Sequence, residues 1–220
     1  MKYIIMCGGN YPHWEVPRQL TKIHGEPLVA RTIRLLRSKG VELSDIFISS
    51  NDDRFGQFGV VLLKHENGFI YGRDKVADKN YWLDAFYPTD EAACYLFGDV
   101  FFSEFCIASI VNYQPGEDIM FFASAFCHGQ GYPKPWAEPF AFKVWNQKRF
   151  KEGIALAKLY QDQGKFRRRP VSWELWQVLK GTKLNEIAIN YQVIDDYSCD
   201  IDQYGDIAAI ERFKKIHERT

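Results

Sequence analysis

Five consecutive apolar residues, Tyr3-Ile4-Ile5-Met6-Cys7, run straight into Gly8-Gly9. A strand without polar alternation is buried on both faces, which places it inside a parallel sheet covered by helices. The same pattern returns at Ala92-Ala93-Cys94-Tyr95-Leu96-Phe97, which stops at Gly98-Asp99. Between the two runs, Leu28, Val29, Ile33, Leu35 and Leu36 recur at near-helical spacing after Pro27, and Gly40 can end that helix. Ile46-Phe47-Ile48 then supplies a second buried strand, so the first part of the chain reads as a βαβ unit with a right-handed crossover.

The alternation continues along the chain. Patterning predicts further strands over 60–63, 68–71, 119–124 and 139–144, and helices over 78–87, 103–113, 147–162, 172–179 and 204–217. Alternating strands and helices predict an α/β fold, a three-layer α/β/α sandwich on a mixed, mainly parallel sheet. A chain of 220 residues suits one domain, taken here as 1–220, and therefore one active site. The basic segment 163–170 reads either as a solvated turn or as a clamp on phosphate or on a neighbouring subunit.

Lys plus Arg and Asp plus Glu both number 28, so the chain lacks the excess positive charge of nucleic-acid and anionic-membrane binders; no nucleic-acid or membrane partner is expected. The 46% hydrophobic content can build a core, yet no apolar run reaches the ~20 residues of a membrane span. The N-terminal segment reads as a strand rather than a secretory signal, and a cytoplasmic location is expected. Cys7, Cys94, Cys106, Cys127 and Cys199 are scattered without a C-x-x-C pair, which argues for small buried hydrophobes over a disulfide framework or zinc site.

In open α/β sheets, ligands collect beyond the carboxyl ends of the strands. Three features fall at such places. Gly8-Gly9 lets main-chain N–H groups approach a phosphate or base. Asp99, at a strand end, is a hard oxygen donor suited to Mg²⁺, with a simple turn as the plain alternative. The segment Asp200-Ile201-Asp202-Gln203-Tyr204-Gly205-Asp206 offers more carboxylates ahead of a helix, and Asp206 reads best as stabilising that helix start.

Gly8-Gly9, Pro17-Arg18-Gln19-Leu20 and Gly25-Glu26-Pro27-Leu28 occur in the order and spacing of a known opening. It resembles that of the nucleotidyltransferase family with the glycosyltransferase type A-like fold, which comprises sugar-nucleotide pyrophosphorylases and cytidylyltransferases. The resemblance implies the Rossmann-like nucleotide-diphospho-sugar transferase fold. It also implies that Cys7, Gly8, Gly9, Asn10, His13 and Gly98 line the nucleotide. Asp99 matches the family's metal-binding aspartate, and Asp202 matches the second aspartate of its terminal Asp-Ile-Asp segment, with Asp200 as the alternative. The implied cofactor is Mg²⁺.

Two departures stand out. Arg18 occupies the position of the family's signature lysine, keeping the charge but presenting a planar fork. The loop also lacks the family's triphosphate-gripping arginine, so His13 or an arginine from elsewhere is expected to stand in. Arg73 and Lys75, with Lys79 beside them, lie where family members contact base and α-phosphate; Arg73 is assigned to the nucleotide, and Arg18 and Lys75 to catalysis. Trp136 and Glu138 are the acceptor-side candidates. Trp173 and Trp176 share a helix face and read either as core or, with Trp14 or Trp136, as an aromatic cage for a quaternary amine.

The implied partners are a nucleoside triphosphate and a phosphorylated small-molecule acceptor: a sugar, polyol or amino-alcohol phosphate. The Asp-Ile-Asp ending favours CTP as donor. A homodimer is the default assembly. Two other functions fit the same fold, a catalytically silent nucleotide or sugar-phosphate regulator and a glycosyltransferase. The latter would normally show Asp-x-Asp where this chain has Gly98-Asp99-Val100.

Overall fold

Strand β1 (Lys2–Met6) forms from the first apolar run, and every residue after Lys2 is buried. The structure, a computed structural model, describes residues 1–7, 14–65, 81–114, 116–125, 137–166, 172–184 and 190–217. Gly8, Gly9, Asn10, His13, Arg73, Lys75 and Trp136 lie outside the described residues, as do Lys79, Cys127, the strand expected over 68–71 and part of the basic segment.

After β1 the chain makes a short hairpin, β2 (Lys22–Ile23) with β3 (Glu26–Pro27). Its turn residues His24 and Gly25 both have positive φ, 53° and 83°, the backbone that a two-residue type I′ turn requires. Helix α1 (Leu28–Ser38) follows, burying a stripe of Leu28, Val29, Thr32, Ile33, Leu35 and Leu36. Pro27 sits just ahead of the first turn, where its missing N–H costs nothing. Gly40, at φ 83°, ends the helix in the left-handed conformation that side-chain-bearing residues avoid.

Strands β4 (Ile46–Ser49) and β5 (Val61–Leu63) come next, then the short helix α2 (Tyr81–Asp84). The helix expected over 78–87 ends three residues early, because Pro88 disfavours helical backbone at Tyr87. The chain continues through β6 (Ala93–Phe97), β7 (Val100–Phe101), α3 (Glu104–Asn112), β8 (Ile119–Ser124), β9 (Pro139–Val144), α4 (Gln147–Asp162) and α5 (Ser172–Lys180). It finishes with β10 (Gln192–Ile194), β11 (Cys199–Asp200) and α6 (Tyr204–His217).

Among the described residues the main sheet has seven strands in the order β10-β8-β9-β6-β1-β4-β5. Of these, β9 alone runs antiparallel to its neighbours, so the expected mixed, mainly parallel sheet flanked by helices is what forms. Strands β6 and β8 are buried along their whole length. Their apolar side chains join those of α1, α3, α4 and α5 in one core containing Trp176, Phe121, Phe142 and Phe150. Trp173 and Trp176 both belong to this packing: Trp176 is fully buried, and Trp173 stands edge-on to Phe121. A satellite cluster of Trp14, Ile23, Leu28, Phe101, Ile201 and Ile210 ties α6 to the β2–β3 hairpin. No helix among the described residues is long and apolar enough to cross a membrane.

One buried charge is structural. Lys143, on β9 and 3% exposed, donates from Nζ to the carbonyls of Ile110, Val111 and Tyr113 at 2.8, 2.8 and 3.0 Å. It caps the C-terminus of α3, where the helix dipole favours a cation and the last carbonyls need donors.

Candidate active site

The chain leaves β1 to build β4 and β5 on one side, then crosses back to lay β6 on the other. Such a reversal of strand order opens a crevice beyond the carboxyl ends of the two strands. Gly98 and Asp99 stand at that point: Gly98 N–H donates to the Met6 carbonyl at 3.0 Å, continuing the β6–β1 ladder to its end. A Cβ added at Gly98 would lie 2.5 Å from the Met6 carbonyl oxygen and 2.8 Å from Cys7 Sγ. Only glycine fits there, and its absent side chain lets β1, β6 and the turn bearing Gln19 close around the strand ends.

The short 3-10 turn Arg18–Leu20 carries Arg18 into this crevice. Its guanidinium is buried, with a side chain 3% exposed, and it spans two carboxylates. Nη2 donates to Asp99 Oδ2 at 2.6 Å, and Nη1 donates to Asp202 Oδ1 at 2.5 Å and to the Ile201 carbonyl at 2.9 Å. Asp99 is 5% exposed at its side chain, whereas Asp202 is 49% exposed, so one carboxylate belongs to the floor of the site and the other to its rim.

Asp202 is placed by its surroundings. Strand β11 pairs antiparallel with β7, setting Asp200 opposite Val100, and Ile201 N–H donates to the Asp99 carbonyl at 2.9 Å. Asp206, almost wholly buried in the first turn of α6, accepts from the N–H groups of Asp202 and Gln203 at 2.9 and 3.0 Å. That is the backward half of a capping box, the helix-start role expected of Asp206. Trp14 stacks on Tyr204 with centroids 4.2 Å apart and donates from Nε1 to the Asp202 carbonyl at 3.4 Å.

A third group of residues, not singled out by the sequence, fixes the approach to this segment. Buried Asp196 accepts from the Ser103 hydroxyl and from Ser198 N–H at 2.7 Å, while Ser198 Oγ accepts from Ser103 N–H at 2.9 Å. Ser103 also caps α3 by accepting from Cys106 N–H at 2.8 Å. One hydroxyl therefore joins the start of α3 to the chain leading into β11. The signal available in the sequence was the N-cap pattern Ser103-Glu104; its long-range partner was not readable.

Cys7 is buried beside Gly98, and burial, reinforced by the Asp99 charge, pushes its thiol well above the ordinary range. Burial of this kind marks a packing thiol rather than a reactive one. Glu138 is buried just ahead of β9, with its N–H on Ser124 Oγ at 2.7 Å. The β6–β9 register, Leu96 opposite Ala141, runs on toward this end of the sheet and brings Glu138 to the same edge as Asp99. Trp173 Nε1 donates to the Ala137 carbonyl at 3.2 Å and braces that segment.

The donor chemistry fits Mg²⁺. Two carboxylates converge within reach of one guanidinium, and carboxylate oxygens are the donors a hard cation prefers. Mg²⁺ is held by one or two carboxylates, with water and substrate phosphates completing its shell, and does not need a larger protein cage. Among the described residues, no group of three His, Cys, Asp or Glu forms such a cage.

No family model matches the sequence, and a search of curated proteins finds no significant match. Solved structures do match across the whole chain. HddC from Yersinia pseudotuberculosis, complexed with GMP-PN, aligns over 97% of this chain and 99% of its own at 13% identity, with a TM-score of 0.52. The CTP:phosphocholine cytidylyltransferase LicC from Streptococcus pneumoniae aligns over 98% of both chains at 16% identity, with a TM-score of 0.50. The chain shares their fold. A second HddC structure aligns over 97% of this chain at 14% identity, with a TM-score of 0.51.

Proposed function

We propose that the protein is a Mg²⁺-dependent nucleotidyltransferase that joins a nucleoside monophosphate to a phosphorylated small molecule and releases pyrophosphate. The observation that carries this reading is the cluster of Arg18, Asp99 and Asp202 at the reversal of strand order, on the fold of a known cytidylyltransferase.

In the reaction, a phosphate oxygen of the acceptor forms a bond to the α-phosphorus of the nucleoside triphosphate as the bond to the bridging β-phosphate oxygen breaks, and that electron pair leaves with pyrophosphate. The acceptor phosphate is already a nucleophile at neutral pH, so alignment and charge neutralisation supply the catalysis. Asp99 and Asp202 would hold the Mg²⁺, which when bound neutralises phosphate charge. Arg18 would turn guanidinium N–H groups from the carboxylates toward the phosphate oxygens, which accept from its fork in the same geometry. The Gly8-Gly9 amides would cradle the nucleotide, and Lys75 or Arg73 would meet the α-phosphate. Glu138 and Trp136 are assigned to the acceptor, a sugar, polyol or amino-alcohol phosphate. CTP is the proposed donor, supported by the Asp200-Ile201-Asp202 segment and by the CTP-using enzyme of the same fold.

The test is pyrophosphate release with Mg²⁺, each of the four ribonucleoside triphosphates in turn, and a panel of sugar, polyol and amino-alcohol phosphates. Acceptor-dependent release with one nucleotide, reduced by about two to three orders of magnitude in Asp99→Ala, supports the reading. No release across the panel, together with no Mg²⁺-dependent nucleotide binding, overturns it.

A further inference from the structure

We propose that Arg18 is the resident counter-cation of the Asp99–Asp202 pair, and that a divalent cation enters this pair only together with a polyphosphate that takes over the guanidinium. The proposal rests on the reading of the two carboxylates as the metal site, and it concerns how that site loads.

Among the described residues, Arg18 donates to Asp99 Oδ2, Asp202 Oδ1 and the Ile201 carbonyl, through two different nitrogens. A divalent ion approaching the same carboxylates meets a fixed positive charge at hydrogen-bond distance, in a pocket whose floor is screened from water on the Asp99 side. Repulsion there is several-fold stronger than in bulk solvent. The ion must therefore wait for the guanidinium to find other acceptors.

A triphosphate or pyrophosphate chain is suited to that exchange. Its oxygens accept from guanidinium in the same bidentate geometry as a carboxylate, and its own charge attracts the ion. Metal and polyphosphate then favour each other's binding, and by linkage the gain is the same whichever is added first. A lysine at this position would not create the same lock, because a single ammonium centre cannot set two separate nitrogens on two carboxylates.

The experiment measures Mn²⁺ binding to the full chain by water-proton relaxation, without turnover, using Mn²⁺ alone and then Mn²⁺ with inorganic tripolyphosphate. The wild type is expected to bind Mn²⁺ alone weakly and to bind it about tenfold or more tightly once tripolyphosphate is present, after correction for Mn²⁺–tripolyphosphate in buffer. Arg18→Gln is expected to bind Mn²⁺ alone about tenfold more tightly than wild type, and Asp99→Asn in that background to lose the gain. Arg18→Lys, which keeps a charge against buried Asp99, serves if Arg18→Gln does not fold; it is expected to gain about threefold or more. Equal Mn²⁺ affinity in wild type and the Arg18 variants overturns the proposal, as does a gain that survives Asp99→Asn. Those results leave the transferase reading standing. Mn²⁺ binding with tripolyphosphate that is untouched by Asp99→Asn in the wild type instead overturns the assignment of the metal site itself.

Discussion

Arg18 and Asp99 form a buried ion pair, Nη2 to Oδ2 at 2.6 Å, between side chains only 3% and 5% exposed. Removing one partner leaves the other charge in a desolvated place. Arg18→Met is therefore expected to cost about 3–5 kcal/mol, and the double variant Arg18→Met/Asp99→Asn to recover much of that loss. Asp202→Asn, at a carboxylate 49% exposed, should cost no more than about 1 kcal/mol. Urea denaturation of wild type, Arg18→Met, Asp99→Asn and the double variant measures the cycle, with Asp202→Asn run beside it; an Arg18→Met variant as stable as wild type would contradict it.

Gly98 and Gly153 both lack room for a side chain, but for different reasons. A Cβ at Gly98 meets backbone, the Met6 carbonyl at 2.5 Å, whereas at Gly153 it meets the end of the Leu179 side chain at 2.4 Å. A leucine tip can rotate away; a strand carbonyl inside the central ladder cannot. Gly98→Ala is expected to destabilise by about 2–3 kcal/mol, and Gly153→Ala by about 1 kcal/mol or less, since alanine also improves helix propensity there. Thermal melts of the two variants check the ranking.

Lys143 sits where a lysine is rarely found. Lys143→Met keeps the aliphatic volume but leaves the carbonyls of Ile110, Val111 and Tyr113 without their common donor. The expected loss is about 2–3 kcal/mol, with amide exchange of the last turn of α3 accelerated more than that of β1. Uniform exchange across both elements would contradict the capping role.

Cys94 pairs in register with Lys143, and burial pushes its thiol up to about 12, with the lysine charge opposing in part. An acid whose folded value is raised contributes stability that is fully present below its unfolded value, about 8.5, and lost as pH climbs from there toward the folded one. Within that window a single such group costs about 1.4 kcal/mol per pH unit. Cys94→Ala should therefore show a shallower alkaline decline than wild type in urea titrations between pH 8.5 and 10.5. Parallel curves would show that this thiol does not couple to folding.

The parts of the fold that were legible in the sequence are those fixed by local pattern. The unbroken apolar runs of β1, β6 and β8 announced a parallel sheet, and the 3.6-residue periodicity of α4 gave its span, Gln147–Asp162. Strands β2, β3, β7, β10 and β11 are not legible in the sequence, because pieces of two or three residues owe their conformation to the partner strand and not to their own propensity. The β2–β3 turn did leave a trace, His24-Gly25, a pair suited to positive φ. Asp99 is legible as a strand-end carboxylate, and Asp202 only through the resemblance of Asp200-Ile201-Asp202 to the family's ending. That one arginine would bridge them is not legible: its partners lie 81 and 184 residues away along the chain. Likewise Asp196, Ser103 and Ser198 join segments more than 90 residues apart, which patterning within a window cannot see.

The most direct test of the central claim follows the α-phosphate. Protein, Mg²⁺ and the acceptor panel are incubated separately with nucleoside triphosphates labelled at the α- or at the γ-phosphorus, CTP first. Nucleotidyl transfer predicts that the α-label enters a new acceptor-linked product while the γ-label leaves entirely as pyrophosphate, with both signals depending on Asp99. Transfer of the γ-label to the acceptor, or retention of both labels in unreacted nucleotide that the protein binds with Mg²⁺, would contradict the account and point to a kinase in the first case and a nucleotide-binding regulator in the second.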